Sequence, residues 1–242
     1  MQYAVIGCEV WNLFSNQQSS THADNVGGAM RILKTIPVVS LSFMLAFNAN
    51  AAEDSRMKED NQHIRKWNGF ADNALALHKE LIKKHDHEVK KTVGGYAGNK
   101  NFYIQEQYYS KKTGQLLSQV QWEKANPTVL HSIEVYIPDD NGRVQRDFMA
   151  AYLPGYHNAP VQTTISFHQY SGKLHGFRTF DASGDRILER CEGEYKGKPF
   201  EFLLDEDELY SALMNGNPID KEPYALCVGK LPKKLGKYTT PQ

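Results

Sequence analysis

The chain has 242 residues, and its 28 Lys and Arg are balanced by 28 Asp and Glu, so it carries no net charge at neutral pH. That balance gives no support for a nucleic-acid partner, which would want a basic footprint, or for an anionic membrane surface. The length suits a single domain with a sizeable core.

Residues 1–29 are polar and lack periodicity, and a second methionine, Met30, follows them. They are read as an over-extended, unstructured start, with translation beginning at Met30. Arg31 and Lys34 then precede an uncharged apolar run from Ile36 to Phe47, and Ala49-Asn50-Ala51 places small residues at the two positions a signal peptidase must accommodate. The run is too short to span a bilayer as a helix and suits a secretory signal peptide over 30–51. Cleavage near Ala52 leaves 52–242 as one exported domain, periplasmic or secreted, with no membrane span. Cys8 then drops out, and Cys191 and Cys227 form an even pair for a disulfide in an oxidising compartment.

The spacing predicts one long helix over 58–92. Ile64, Trp67, Phe70, Ala71, Ala74, Leu75, Leu77, Leu81, Ile82 and Val89 fall on one arc at 100° per residue, and Gly94-Gly95 closes it. Strands separated by turn signals follow: 101–110, 115–123, 129–137, 143–152, 161–170, 173–180 and 185–192. Connections this short force antiparallel neighbours. The fold class is therefore α+β: one long N-terminal helix on a curved antiparallel meander of about six to eight strands, with a short C-terminal helix. That helix covers Leu209–Met214, preceded by Asp205-Glu-Asp-Glu208, where Glu208 can answer Asp205 in a capping box. Residues 218–242, rich in Pro, Gly and Lys, read as an extended tail.

The sharpest constellation is a histidine pair. With Ser171-Gly172 as a two-residue hairpin loop, His168 falls opposite His175 on the same face, Cβ atoms roughly 5 Å apart. A one-residue slip is expected to separate them onto opposite faces. Two imidazoles that close, with His157 as a candidate third ligand, can share Zn or Cu, or act as a proton-linked pair that resists double protonation. The bland alternative is two solvated surface histidines. His78 and His85 lie seven residues apart on the helix, too far for one metal ion, and read as packed, satisfied side chains.

Arg178 shares an apolar face with Phe180 and Ile165, so it needs a carboxylate, with Asp147 or Glu189 as candidates. The competing reading puts it in a pocket for an anionic ligand, together with Arg146 and with Tyr156 of the rigid Pro154-Gly-Tyr-His-Asn-Ala-Pro160 loop. No Gly-x-Ser-x-Gly, Walker A or Gly-x-Gly-x-x-Gly motif occurs. No cofactor other than a Zn or Cu ion is expected and no catalytic set stands out. The expectation is an exported, non-catalytic domain binding a small ligand or another exported protein. The alternative is a metal-binding protein or metal-dependent enzyme built on His157, His168 and His175.

Overall fold

The computed structural model describes residues 62–236, 240 and 241. The expected start at Met30, the signal segment and Cys8 lie outside the described residues. Helix α1 spans Gln62–Lys84 and is followed by nine strands: β1 His87–Tyr96, β2 Asn99–Ser110, β3 Leu116–Glu123, β4 Asn126–Pro138, β5 Val144–Ala151, β6 Gln162–Ser171, β7 Leu174–Asp181, β8 Arg186–Tyr195 and β9 Lys198–Leu204. Two short helices close the chain, α2 Glu206–Asn215 and α3 Lys221–Val228. The strands form one sheet in sequence order, each antiparallel to the next. No described helix is long and apolar enough to cross a membrane.

The α+β class and the antiparallel meander stand, with three corrections. The strands number nine rather than six to eight. The helix expected over 58–92 is not one long N-terminal element: it ends at Lys84, and 87–96 forms β1. Past Ile82 the helical arc offered only Val89, whereas Val89, Thr92 and Val93 favour a strand once β2 is beside them. Lys and Glu on this largely exposed strand suit a sheet edge. Finally, the expected extended tail contains α3. Its Pro223 sits in the first turn, where the missing N–H costs no helical hydrogen bond.

Alternation gives the sheet two unlike faces. One carries Val120, Ile133, Val135, Phe148, Ala150 and Ile165, and α1 lays Phe70, Ala71 and Ala74 on them. A second cluster joins Leu174, Cys191, Phe202 and Leu204 of the sheet to Leu209 of α2 and to Cys227 and Val228 of α3. Here α3 lies against the backbone of β7: a Cβ on Gly176 would stand 2.2 Å from the Cys227 carbonyl oxygen. The Cys191–Cys227 disulfide ties α3 to the next strand, β8, Cα to Cα 5.7 Å. Helix α2 has the anticipated capping box, with Asp205 accepting from the Glu208 amide and Glu208 from the Asp205 amide.

The opposite face carries no described helix. It presents amides and hydroxyls, including two cross-strand glutamine pairs, Gln107–Gln119 at 2.8 Å and Gln121–Gln105 at 2.9 Å. Asp147, Ser166, His168 and His175 belong to this face.

Candidate functional site

The β6–β7 hairpin turns at Gly172-Lys173, one residue later than the sequence suggested, with Ser171 paired to Leu174. Gly172 takes the left-handed conformation (φ 59°) that the first loop position demands. His175 therefore pairs with Tyr170, and His168 with Phe177. Moving the turn by one residue shifts the pairing sum by two, which preserves side-chain parity. The imidazoles stay on one face and meet diagonally rather than head-on.

Their contact is direct. His168 Nδ1 lies 2.9 Å from His175 Nε2, and His168 Nε2 lies 2.6 Å from Asp147 Oδ2. Asp147 pairs with Ser166 on β6, two residues before His168, so alternation brings carboxylate and imidazole to one spot. The Tyr170 ring stacks on His175 at 4.6 Å between centroids and 5° between planes. Tyr170 is itself fixed by its hydroxyl, which donates to the Val144 carbonyl at 3.0 Å. On the far side Glu192 Oε1 stands 4.0 Å from His175 Nδ1, beyond hydrogen-bond reach.

Burial pushes His175 down to about 4, with the adjacent His168 and Arg190 acting in the same direction. Glu134, next along the same face, is pushed up to about 7 by burial and by the charge of Asp147. Its neighbour Tyr136 is raised by burial and by Glu134. The site is thus a row of titratable groups crossing β4, β5, β6 and β7.

Within the row, Asp147, His168 and His175 are joined by hydrogen bonds. Two ligands of a tetrahedral zinc sit about 3.3 Å apart with both lone pairs converging on the metal. In the pair, one nitrogen must donate to the other. His157 does not join them: its Nε2 stands 3.5 Å from Glu123 Oε1. Among the described residues no three His, Cys, Asp or Glu side chains are placed to hold a metal ion. His78 is buried and bonds Ser118 Oγ at 2.8 Å, as a packed histidine should, while His85 is exposed because α1 has already ended.

The helix-covered face holds a second feature. Between the area covered by α1 and that covered by α3 lies a cleft of about 450 Å³, lined by Arg146, Phe167, Gln169, Lys230, Leu231 and Pro232 among others. Arg146 and Phe167 are directly paired across β5 and β6. The Arg146 guanidinium lies 5.3 Å from the Phe148 ring centroid and 5.9 Å from that of Phe167. Among the described residues no carboxylate forms an ion pair with it.

Of the other pocket candidates, Arg178 is committed elsewhere. It is 2% exposed; its Nε donates to Glu189 Oε1 at 2.5 Å and its Nη1 to the carbonyls of Leu231 and Pro232 at 3.0 and 2.8 Å. It holds in place the tail that walls the cleft. Gln169 does likewise, donating to Ala225 and Leu226 carbonyls and accepting from the Lys230 amide. Tyr156 is exposed on the loop after β5 and is not among the cleft residues.

Sequence reasoning did not find the roles of Asp147, Glu134 and Tyr136. Asp147 was weighed as a partner for Arg178, but strand parity puts Asp147 and Arg178 on opposite faces.

The buried histidines set an acid limit on stability. His78, His131 and His175 are each held at about 4 by burial. Between 6.5 and 4 the unfolded chain takes up protons that the folded chain refuses, so their contribution is full above pH 6.5 and falls as pH drops. Glu134 acts oppositely, since the folded chain protonates it first below about 7. Three groups against one give a net loss on the order of a few kcal/mol between pH 7 and pH 4.5. Thermal melts across that range should show Tm falling with pH, and a Tm that holds constant would contradict these assignments.

Comparison with known proteins returns no match to any family model, curated protein or solved structure.

Proposed function

We propose that the protein is an exported binding domain whose cleft takes a small organic anion with an apolar body. The observation that carries this reading is Arg146. A guanidinium resting on two phenyl rings, at a cleft floored by Phe167 and Leu231 and without a carboxylate of its own, offers an anion both a charge-assisted bond and apolar contact. Lys230 adds a second positive charge at the rim. Export is supported by the disulfide, which persists in oxidising compartments.

The probe is the fluorescent sulfonate 8-anilinonaphthalene-1-sulfonate, which combines an anionic head with aromatic rings. The wild-type protein should bind it saturably with one site. Arg146→Ala should weaken that binding roughly 10- to 100-fold, the worth of a hydrogen bond to a charged group. The fold should be unaffected, since Arg146 forms no ion pair with a described carboxylate. Equal affinity in the two proteins would remove the cleft from consideration.

A further inference from the structure

The hydrogen bonds on the helix-free face dictate the tautomers of the two histidines. A carboxylate can only accept, so Asp147 Oδ2 takes its 2.6 Å bond from N–H at His168 Nε2. A neutral imidazole has one N–H, so His168 Nδ1 is the lone-pair nitrogen. The 2.9 Å contact at that atom must then come from N–H at His175 Nε2. His175 Nδ1 is left with its lone pair, and no described group hydrogen-bonds it. The chain Asp147, His168, His175 is therefore polarised toward one free nitrogen. That nitrogen belongs to a side chain 23% exposed, whereas His168 and Asp147 behind it are 10% and 11% exposed.

The surroundings of Nδ1 fix what can reach it. Tyr170 covers a face of the ring, and Phe177, two residues along the same strand, lies 6.0 Å away. The nearest carboxylate to Nδ1 is that of Glu192, at 4.0 Å, and Glu192 also lines a hollow of about 250 Å³ with Gly193, Pro199, Phe200 and Glu201. Arg190, on the same face of β8, is held to Glu192 at 3.1 Å and supplies positive charge beside the ring. The charged or titratable groups facing the chain are Glu134 and Tyr136 from β4, Tyr170 from β6, Arg190 and Glu192 from β8, and Glu201, paired with Glu192, from β9.

We propose that His175 is the working base of a three-residue proton relay that activates water to hydrolyse a small acyl ester. Water loses a proton to His175 Nδ1 as its oxygen bonds the acyl carbon. The tetrahedral adduct then collapses, the acyl C–O bond breaks, and the proton passes from Nδ1 to the departing oxygen. The products are one carboxylic acid and one alcohol, with no redox change. Asp147 and His168 are positioning residues: they fix the tautomer and stabilise the imidazolium that forms between the two proton transfers. The relay and the Arg146 cleft share one lining residue, His168, while Arg146 and His175 project from opposite faces of the sheet.

The test is hydrolysis of p-nitrophenyl acetate by the purified protein. Wild type should exceed an equal concentration of N-acetylhistidine, and His175→Gln should lose roughly 100-fold of the excess rate. Asp147→Asn should lower kcat with KM little changed and alter the pH profile, which a purely structural role would not do. His85→Gln, exposed just past the end of α1, should keep the wild-type rate. Should His175→Gln fail to fold, wild-type protein treated with diethyl pyrocarbonate gives the answer: loss of activity must track modification of His175. Activity equal in wild type and a folded His175→Gln, activity retained with His175 modified, or a wild type no faster than N-acetylhistidine would each overturn the proposal.

Discussion

Glu189→Ala should cost about 3–5 kcal/mol of folding stability, among the largest effects of any single substitution in the chain. Glu189 is fully buried and accepts three bonds: from Arg178 Nε at 2.5 Å, Arg186 Nη1 at 3.1 Å and the Tyr224 hydroxyl at 2.6 Å. Removing the carboxylate leaves the Arg178 guanidinium buried with no counter-charge. The damage spreads, because Arg178 also holds the Leu231 and Pro232 carbonyls and so anchors the wall of the cleft. The pair itself is not a large source of stability, since burying two charges costs nearly what their attraction returns. Arg178→Met combined with Glu189→Leu should therefore recover most of the loss. Denaturant midpoints for the single and double variants test both halves, and a double variant as unstable as Glu189→Ala would contradict the second.

Loss of the Cys191–Cys227 bond should cost a comparable amount. The bond closes a segment of sequence separation 36, for which loop-closure entropy gives about 4 kcal/mol. Replacing both cysteines with alanine should lower stability by that amount, plus a smaller packing loss from two fully buried positions. The loss should be concentrated where the bond acts, at α3 and the cleft wall. Hydrogen exchange should show α3 losing protection while β3 to β5, packed under α1, keep theirs. Uniform loss of protection across the sheet would mean that α3 and the sheet open as one unit.

Much of this architecture was legible in the sequence. The glycine-marked turns placed β2 to β8 within a few residues, because a tight turn and a period-two pattern are local properties. Strand β9 was missed although Lys196-Gly197 turns into it and Phe200, Phe202 and Leu204 alternate. Strand β1 was missed because a weak helical arc ran on into it, and only pairing with β2 decides the matter. The histidine pair was legible in kind, since parity survives the shift of the turn. Its connection to Asp147 was not, because that contact depends on the registers of two successive hairpins. The cleft at Arg146 was further out of reach. It exists because α1 and α3 cover different parts of one face and leave a gap between them, which no local pattern encodes.

The two faces thus differ in chemistry, with a cationic, apolar cleft under the tail and a proton chain on the side without helices, and His168 borders both. The cleft is the central claim. Exposed apolar side chains elsewhere offer an anionic dye a competing site, above all Tyr210, Leu213 and Met214 on α2 at 67%, 75% and 66% exposure. Titrating 8-anilinonaphthalene-1-sulfonate into ¹⁵N-labelled protein locates the bound molecule amide by amide. The amides of Arg146, Phe167, Gln169 and Leu231 should shift together and saturate with a single affinity. Shifts confined to α2, or none at the cleft, would contradict the binding role.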